Sequence, residues 1–312
     1  MTIDLVDEET VEFHIDCDDE ITNEEIRIMR RHINNGVKKI TLMEDRENMA
    51  ISYPINQLEK LYKLEVLLVQ DFRYTIVKLP PKLKEFSTGR AFNQDIGRGA
   101  GKLYLPGSLE KIIFGFCFNK PIAKYPKNLK YLKFGRNFDQ PINNLPAGLE
   151  SLSFCGDFDQ PIDNLPSSLK TLSFFSIYDS FFNQKIDNLP GELEQLFLGD
   201  MFNQPIDFLP SKIRTLYLGK KFNQKIDNLP GQLNKLVIIY DSHFNESIDN
   251  LPDSIEHLQL PLSYTVKIKK LPSNLKKLII YESYPYIKEL RKDFKDLFGE
   301  HKIQISKKLQ SD

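Results

Sequence analysis

Apolar residues recur along the chain at a spacing that predicts one short β-strand in each of many similar units. In one unit they occupy Leu149, Leu152 and Phe154, and the last two are separated by the two-residue period of a strand with one buried face. Equivalent triplets continue from Leu109 to Ile280. Because about five residues of each unit can be extended, we expect stacked units to pair their short strands into one parallel sheet.

The dipeptide Leu-Pro divides these units at regular intervals. From Leu79-Pro80 to Leu271-Pro272, with Tyr125-Pro126 at one position, successive copies are separated by 26, 20, 20, 20, 24, 20, 20, 22 and 20 residues. A step near 20 residues sustained over about 190 residues indicates a solenoid, in which each unit buries its apolar face against its neighbours. The return path is short and rich in proline, so we expect irregular, polyproline-like or short 3₁₀ backbone on the convex side.

A second motif follows each predicted strand and consists of Phe, then Asn or Asp, then usually Gln. It begins at Phe92-Asn93-Gln94 and ends at Phe244-Asn245-Glu246, and an isoleucine lies four residues after each phenylalanine. The Phe and Ile side chains are predicted to fill the core. The Asn or Asp side chain is predicted to hydrogen-bond the backbone of its turn or of the next repeat.

These units, which have the form FNQPIDNLPSSLKTLSF, resemble the FNIP-repeat family over roughly residues 79–281. FNIP repeats are regarded as a variety of leucine-rich repeat, so the resemblance implies a leucine-rich-repeat-like solenoid that acts as an interaction protein. The family is typical of social amoebae and of giant viruses that infect amoebae. Many members carry an N-terminal F-box and are presumed ubiquitin-ligase adaptors.

The two ends of the chain depart from the repeat and are predicted to be helix-containing caps. At the N-terminus, a helix is predicted from about Asn23 to Asn35, followed by a strand and degenerate repeats, and no Leu-Pro marks an F-box. A second helix is predicted from Pro285 through Phe298, before a final strand at Ile303 and Ile305. The expected organisation is an N-terminal cap over 1–75, a repeat solenoid over 76–282 and a C-terminal cap over 283–312.

Composition narrows the classes of function. The 42 basic and 43 acidic side chains give a net charge of −1, so we expect neither nucleic-acid nor membrane binding. The three cysteines include no CxxC motif, which favours the cytoplasm and argues against structural zinc. The glycine-rich segment Gly97–Lys102 has Ile96 where a phosphate-binding loop needs its first glycine and Leu103 where it needs Ser or Thr. No catalytic or metal-ligand motif occurs, so we predict a protein that is not an enzyme and holds no cofactor.

The exposed face of the predicted sheet is the candidate binding surface. Between the buried strand positions the residue type changes from repeat to repeat, as recognition of a partner requires. The residues predicted to contact a protein on this concave face are Tyr131, Lys133, Phe197, Tyr217, Lys235, Val237 and His257. The aromatic and apolar group at 197, 217 and 237 is predicted to form its centre. Insertions in the 24-residue and 22-residue steps make Tyr178 and Tyr240 candidate contacts at the rim.

The sequence leaves three functions open. The first is a non-enzymatic protein–protein interaction module that binds a partner on the concave face. The second, implied by the family resemblance, is a substrate-recognition adaptor of a ubiquitin ligase. The third is a self-associating structural protein, because residues 1–25 contain eleven Asp or Glu without Lys or Arg, whereas residues 263–312 contain twelve Lys or Arg against six Asp or Glu. We expect a monomer or weak self-association.

Overall fold

The computed structural model describes residues 2–15, 22–44, 54–55, 57–69, 75–76, 78–99, 101–176, 179–295, 297 and 303–306. The chain forms two compact units, Met1–Phe158 (unit 1) and Asp159–Asp312 (unit 2). The fold is a parallel β-solenoid of stacked turns of about 20 residues, which confirms the predicted fold class. The boundaries predicted for the two caps and the solenoid stay a prediction.

The elements of unit 1 are β1 (Thr2–Asp7), β2 (Thr10–Ile15), α1 (Asn23–Asn34), β3 (Lys39–Glu44), β4 (Pro54–Ile55), a 3₁₀ turn (Leu58–Lys60), β5 (Val66–Val69), β6 (Thr75–Ile76), β7 (Glu85–Ser87), β8 (Lys111–Ile113), β9 (Tyr131–Lys133) and β10 (Ser151–Ser153). They form a sheet in the order β1-β2-β3-β5-β7-β8-β9-β10 and a separate pair of short strands, β4 and β6. The strands pair in parallel except for the β1–β2 hairpin, which is antiparallel. The repeat pattern did not predict this hairpin.

The elements of unit 2 are β11 (Thr171–Ser173), β12 (Gln195–Phe197), β13 (Thr215–Leu218), β14 (Lys235–Ile238), β15 (His257–Gln259), β16 (Lys277–Tyr281), α2 (Ile287–Asp293) and β17 (Ile303–Ser306). The strands from β11 to β17 follow one another in sequential order and are all paired in parallel. Each FNIP-type repeat thus contributes one short strand, as the apolar spacing predicts.

The Leu-Pro motif forms the tight turn that leads into each strand. The carbonyl of Pro190 accepts a hydrogen bond from the amide of Leu193 at 3.1 Å, and the same bond recurs from Pro230 to Leu233 at 3.0 Å. The leucine that follows the turn is fully buried, as is the central residue of the next strand, Leu196. After the strand, the described return paths of the repeats consist of turns and irregular backbone without helix.

Two ladders run through each unit and join successive repeats. The motif phenylalanines are buried and stack about 6 Å apart, for example Phe182 on Phe202 at 6.1 Å and Phe202 on Phe222 at 6.3 Å. Beside them, the motif Asn or Asp of most repeats accepts the backbone amide of the corresponding residue one repeat later. The amide of Asn223 donates to Oδ1 of Asn203 at 2.9 Å, and the amide of Asn203 donates to Oδ1 of Asn183 at 2.9 Å. The predicted core and the predicted role of the Asn column are therefore confirmed.

The two predicted helices are present, and residues 295 and 297, beyond the end of the second one, are also helical. Helix α1 begins after Thr22, whose side chain accepts the amide of Glu25 while the Glu25 carboxylate accepts the amide of Thr22. Helix α2 covers Ile287–Asp293, whereas the sequence predicted a helix up to Phe298, which lies outside the described residues. In the described part of the chain, no helix has the length and apolar character needed to span a membrane.

Candidate protein-binding surface

Three neighbouring strands of unit 2 bring Phe197, Tyr217 and Val237 together; we call this group the aromatic patch. Residue 197 is paired with residue 217, and 217 with 237, in the parallel register of β12, β13 and β14. The Phe197 and Tyr217 rings lie 4.8 Å apart between centroids and are tilted by 31°. All three side chains are half-buried on the outer face of the sheet. The leucine that precedes each of them in its strand is fully buried on the inner face.

Polar side chains surround the aromatic patch. Lys235 lies beside Tyr217, with its Nζ 5.1 Å from the ring centroid, at a distance at which a cation and an aromatic face attract each other. His257 is exposed and is paired with Lys235 in the register of β14 and β15. An apolar centre with a polar edge is the usual composition of a protein–protein interface.

Five of the seven residues predicted for the concave face therefore lie on consecutive strands of unit 2. The other two, Tyr131 and Lys133, lie half-buried on β9, on the outer face of the sheet in unit 1. There the Nζ of Lys111 is 5.8 Å from the Tyr131 ring centroid and also forms an ion pair with Glu85 at 3.0 Å. The assignment of these residues to a binding site stays a prediction.

Of the two candidate rim residues, Tyr240 is among the residues that the structure describes. Tyr240 follows β14 and packs edge-on against Tyr281, with ring centroids 5.1 Å apart and planes inclined by 77°. Tyr281 is buried, so this contact ties the inserted turn to the core of unit 2. Tyr178 lies outside the described residues.

An ionic cluster forms where the two insertions approach each other, and the apolar repeat pattern did not predict it. Nζ of Lys220 lies 3.3 Å from a carboxylate oxygen of Asp200, 3.4 Å from one of Asp179 and 3.7 Å from one of Asp241. Residues 179 and 241 belong to the inserted segments of the 24-residue and 22-residue steps. An acidic residue in each insertion was the available signal, but only the fold shows that both reach one lysine.

Burial and charge act in opposite directions within this cluster. Burial raises the pKa of Asp200, and the opposing effect of Lys220 does not cancel that increase. Burial lowers the pKa of Lys220, but the nearby carboxylates, Asp200 first, raise it overall. Lys220 thus stays protonated and holds the two insertions together, and the cluster has an evident structural role.

The chemistry of a metal centre is not assembled in the described ranges. No group of three or more His, Cys, Asp or Glu side chains lies there in a position to hold a metal ion. The two described cysteines, Cys117 and Cys155, are free thiols of intermediate burial.

The stacked turns, the parallel strands and the ladders within each unit define a β-solenoid repeat protein with a leucine-rich-repeat-like fold. The model of the FNIP repeat matches residues 118–157, 142–176 and 182–221. The chain therefore contains FNIP repeats, and the predicted resemblance is confirmed. FNIP repeats on a solenoid of this kind fit a protein-interaction module.

Seven chains of solved structures are similar to this chain. One is the crystal structure of CroV588, described as a novel circular LRR protein structure, with 25% sequence identity and a TM-score of 0.43. The match covers 90% of this chain and 57% of the CroV588 chain. No curated protein matches.

Proposed function

We propose that the protein is a non-enzymatic interaction module that binds a protein partner through the aromatic patch of unit 2, on the sheet face that the sequence predicts to be concave. The observation that carries this proposal is the continuous group of Phe197, Tyr217 and Val237 on three hydrogen-bonded strands. Large apolar side chains held half-exposed on a rigid sheet lose little conformational entropy when a partner covers them. Aromatic residues are therefore the usual anchors of such interfaces.

The surroundings of the patch support a protein partner over a small ligand. The patch lies on an open sheet face, and its neighbours Lys235 and His257 supply the polar edge that an interface of this type requires. Cys117 and Cys155 as free thiols are compatible with the proposed cytoplasmic location.

The proposal is tested by capturing partners with the whole chain and with the double variant Phe197→Ala/Tyr217→Ala. Loss of two aromatic anchors is expected to weaken binding of a captured partner by at least about 30-fold, from about 2 kcal/mol or more for a central anchor. The matched control is Phe208→Ala, because Phe208 is 72% exposed but lies in a return path, away from the strands. That control is expected to bind like the wild type.

The same experiment separates the alternative functions. Recovery of a ubiquitin-ligase subunit that depends on the patch would favour the adaptor role, whereas recovery of further copies of this chain would favour a self-associating structural protein. The adaptor role retains the aromatic patch as the contact, whereas self-association would use the acidic residues 1–25 and the basic residues 263–312. The proposed surface is wrong if the double variant, with an unchanged unfolding transition, captures every partner as strongly as the wild type does.

A further inference from the structure

Unit 1 contains a cavity that is independent of the aromatic patch. It has a volume of about 370 Å³, within the range of small-molecule sites. Its apolar wall includes Ile96, Leu105 and Pro126, and Tyr104 stands beside them with 49% of its surface exposed. We call it the Tyr104 cavity. A second cavity of about 460 Å³ adjoins it, since Arg98 and Tyr104 line both.

Gly97 and Arg98, which begin the insertion of the 26-residue step, line one side of this cavity. The amide of Gly97 donates to the carbonyl of Leu103 at 2.9 Å, and the amide of Leu103 donates to the carbonyl of Asp95 at 2.8 Å, so the base of the inserted loop is closed. Gly101 has φ = +73°, a conformation that favours glycine. The loop connects two points of one return path, not a strand to a helix, so it differs from a P-loop in structure as well as in sequence.

The two adjoining cavities are rich in positive charge. Arg98, Lys124 and Lys127 line the Tyr104 cavity, and Lys78 and Lys102 line its neighbour. None of these five cations has a carboxylate within 4.0 Å in the ranges that the structure describes. The nearby carboxylate of Asp95 is paired with Lys120 at 3.4 Å. Glu59 lines a third cavity together with Lys78 and Tyr104.

Arg98 and Tyr104 are positioned by each other. The guanidinium carbon of Arg98 lies 5.6 Å from the Tyr104 ring centroid, which is within the range of cation–π attraction. This contact holds a cation next to the apolar wall, and a guanidinium retains donors for an anion while it lies on an aromatic face.

Tyr125 adds an unexplained polar group to the same site. It lines the Tyr104 cavity and is 5% exposed, and its hydroxyl has no hydrogen-bond partner in the described part of the protein. The other repeats have leucine at this position before proline, so packing alone does not require the hydroxyl. A buried hydroxyl without a partner destabilises the folded protein, because it has lost its hydrogen bonds to water. Burial also raises the pKa of Tyr125, so the group remains a hydrogen-bond donor.

We propose that the Tyr104 cavity binds an organic phosphate monoester. Its apolar body lies against Ile96, Leu105 and Pro126, and its phosphate lies among the cations at the opening of the cavity. A phosphate monoester carries about −1.5 to −2 charges at pH 7, which suits several unpaired cations better than a carboxylate does. The apolar wall favours an organic phosphate over inorganic phosphate, and the Tyr125 hydroxyl can donate to a ligand oxygen.

The test titrates the whole chain with 1-naphthyl phosphate, followed by calorimetry, and compares it with inorganic phosphate and with 1-naphthol. The first compound is expected to bind at least about tenfold more tightly than either part alone, because each part loses one set of contacts worth about 1.4 kcal/mol or more. Equal affinity for inorganic phosphate would overturn the proposed apolar contact, and equal affinity for 1-naphthol would overturn the proposed phosphate contact.

Variants then locate the site. Arg98→Gln/Lys124→Gln, both at exposed positions, is expected to weaken 1-naphthyl phosphate at least about tenfold, since each lost cation removes a charge-assisted contact. Lys185→Gln/Lys225→Gln changes the net charge equally at exposed lysines of unit 2 and is expected to have no effect.

A charge-neutral variant completes the test. Ala123→Phe, at an exposed position that lines the cavity, is expected to block binding without altering any charge. Equal losses in the two lysine-containing double variants, or full affinity in Ala123→Phe with an intact unfolding transition, would show that the ligand binds by diffuse attraction and would overturn the proposal.

Discussion

The asparagine ladder offers the sharpest test of how successive repeats are held together. In unit 2, Oδ1 of Asn203 accepts the amide of Asn223 at 2.9 Å and Nε2 of Gln224 at 3.1 Å. Asn203→Ala removes both bonds, whereas Gln224 keeps its second bond to the Asn203 carbonyl at 3.1 Å. Because a hydrogen bond contributes about 1 kcal/mol net, and one donor here keeps an alternative acceptor, we expect a loss of about 1–2 kcal/mol.

The matched control is Asn203→Asp, which keeps an acceptor oxygen of nearly the same shape. The chain already uses this residue in the ladder, since Oδ1 of Asp159 accepts the amide of Asn183 at 2.8 Å. We therefore expect Asn203→Asp at pH 7 to stay within about 0.5 kcal/mol of the wild type, the usual range for surface substitutions. The contrast isolates the acceptor from the size and position of the side chain.

Two measurements report the effect. Urea unfolding followed by circular dichroism gives the change in the free energy of unfolding. Because repeat arrays can open locally, hydrogen exchange is also measured at the Lys221 amide, which donates to the Asp200 carbonyl at 2.8 Å across the same pair of repeats. A loss of 1–2 kcal/mol corresponds to about 5–30-fold faster exchange. If the alanine and aspartate variants lose equal stability, the acceptor does not join the repeats and the reasoning is refuted.

Three further predictions concern packing and charge in unit 2. Gly219→Ala places a Cβ 2.2 Å from the carbonyl oxygen of Gly199, so we expect denaturant unfolding to show that the free energy of unfolding falls by about 1–3 kcal/mol. The control is Gly231→Ala, whose added Cβ has nothing within 4 Å. It is expected to be neutral or to stabilise the protein by up to about 1 kcal/mol. Phe202→Ala empties a fully buried position of the aromatic ladder and is expected to cost about 3–5 kcal/mol in the same assay. Burial raises the pKa of Asp200 above 3.8, so the folded state binds this proton more tightly than the unfolded state does. The contribution of this carboxyl to stability therefore falls as the pH rises through its folded pKa. Asp200→Asn is expected to remove that fall from thermal unfolding curves measured between pH 4 and pH 7.

Each of these predictions has a result that contradicts it. Equal stability of the two glycine variants would mean that the repeats can separate at residue 219 without cost. A loss below about 1 kcal/mol for Phe202→Ala would mean that the ladder collapses into the space. A pH profile of Asp200→Asn that is parallel to the wild type would mean that Lys220 offsets the burial of the carboxylate fully.

The local structure of the repeats could be predicted because the residues of each unit favour its turn and its strand by themselves. The Leu-Pro turn requires a backbone geometry that proline and its neighbours favour, and the strand that follows alternates buried and exposed side chains. The repetition then implies stacking, since no single unit can bury its own apolar face. For the same reason, the strand register that brings residues 197, 217 and 237 side by side follows directly from a constant repeat length.

The ends and the insertions could not be derived in this way. The β1–β2 hairpin and the parallel pairing of β2 with β3 depend on a segment without the repeat, so their positions are set by what covers the first repeat. An inserted residue has no equivalent in the other units, so the position of its side chain depends on the residues that pack against it in the folded protein. The periodicity therefore gave no sign that Asp179 and Asp241 would both reach Lys220.

The sequence by itself determined the class of protein, the repeat, its strands, its two ladders and the residues of the aromatic patch, because all of these arise from interactions between equivalent positions of adjacent units. Only the tertiary structure decided where unequal positions meet. The closed loop at Gly97, the exposed Tyr104 ring and the buried Tyr125 hydroxyl come from two repeats and converge on one cavity. These side chains occupy different positions within their repeats, and only packing in three dimensions brings them together. For that reason the spacing of residues along the chain could not predict the cavity.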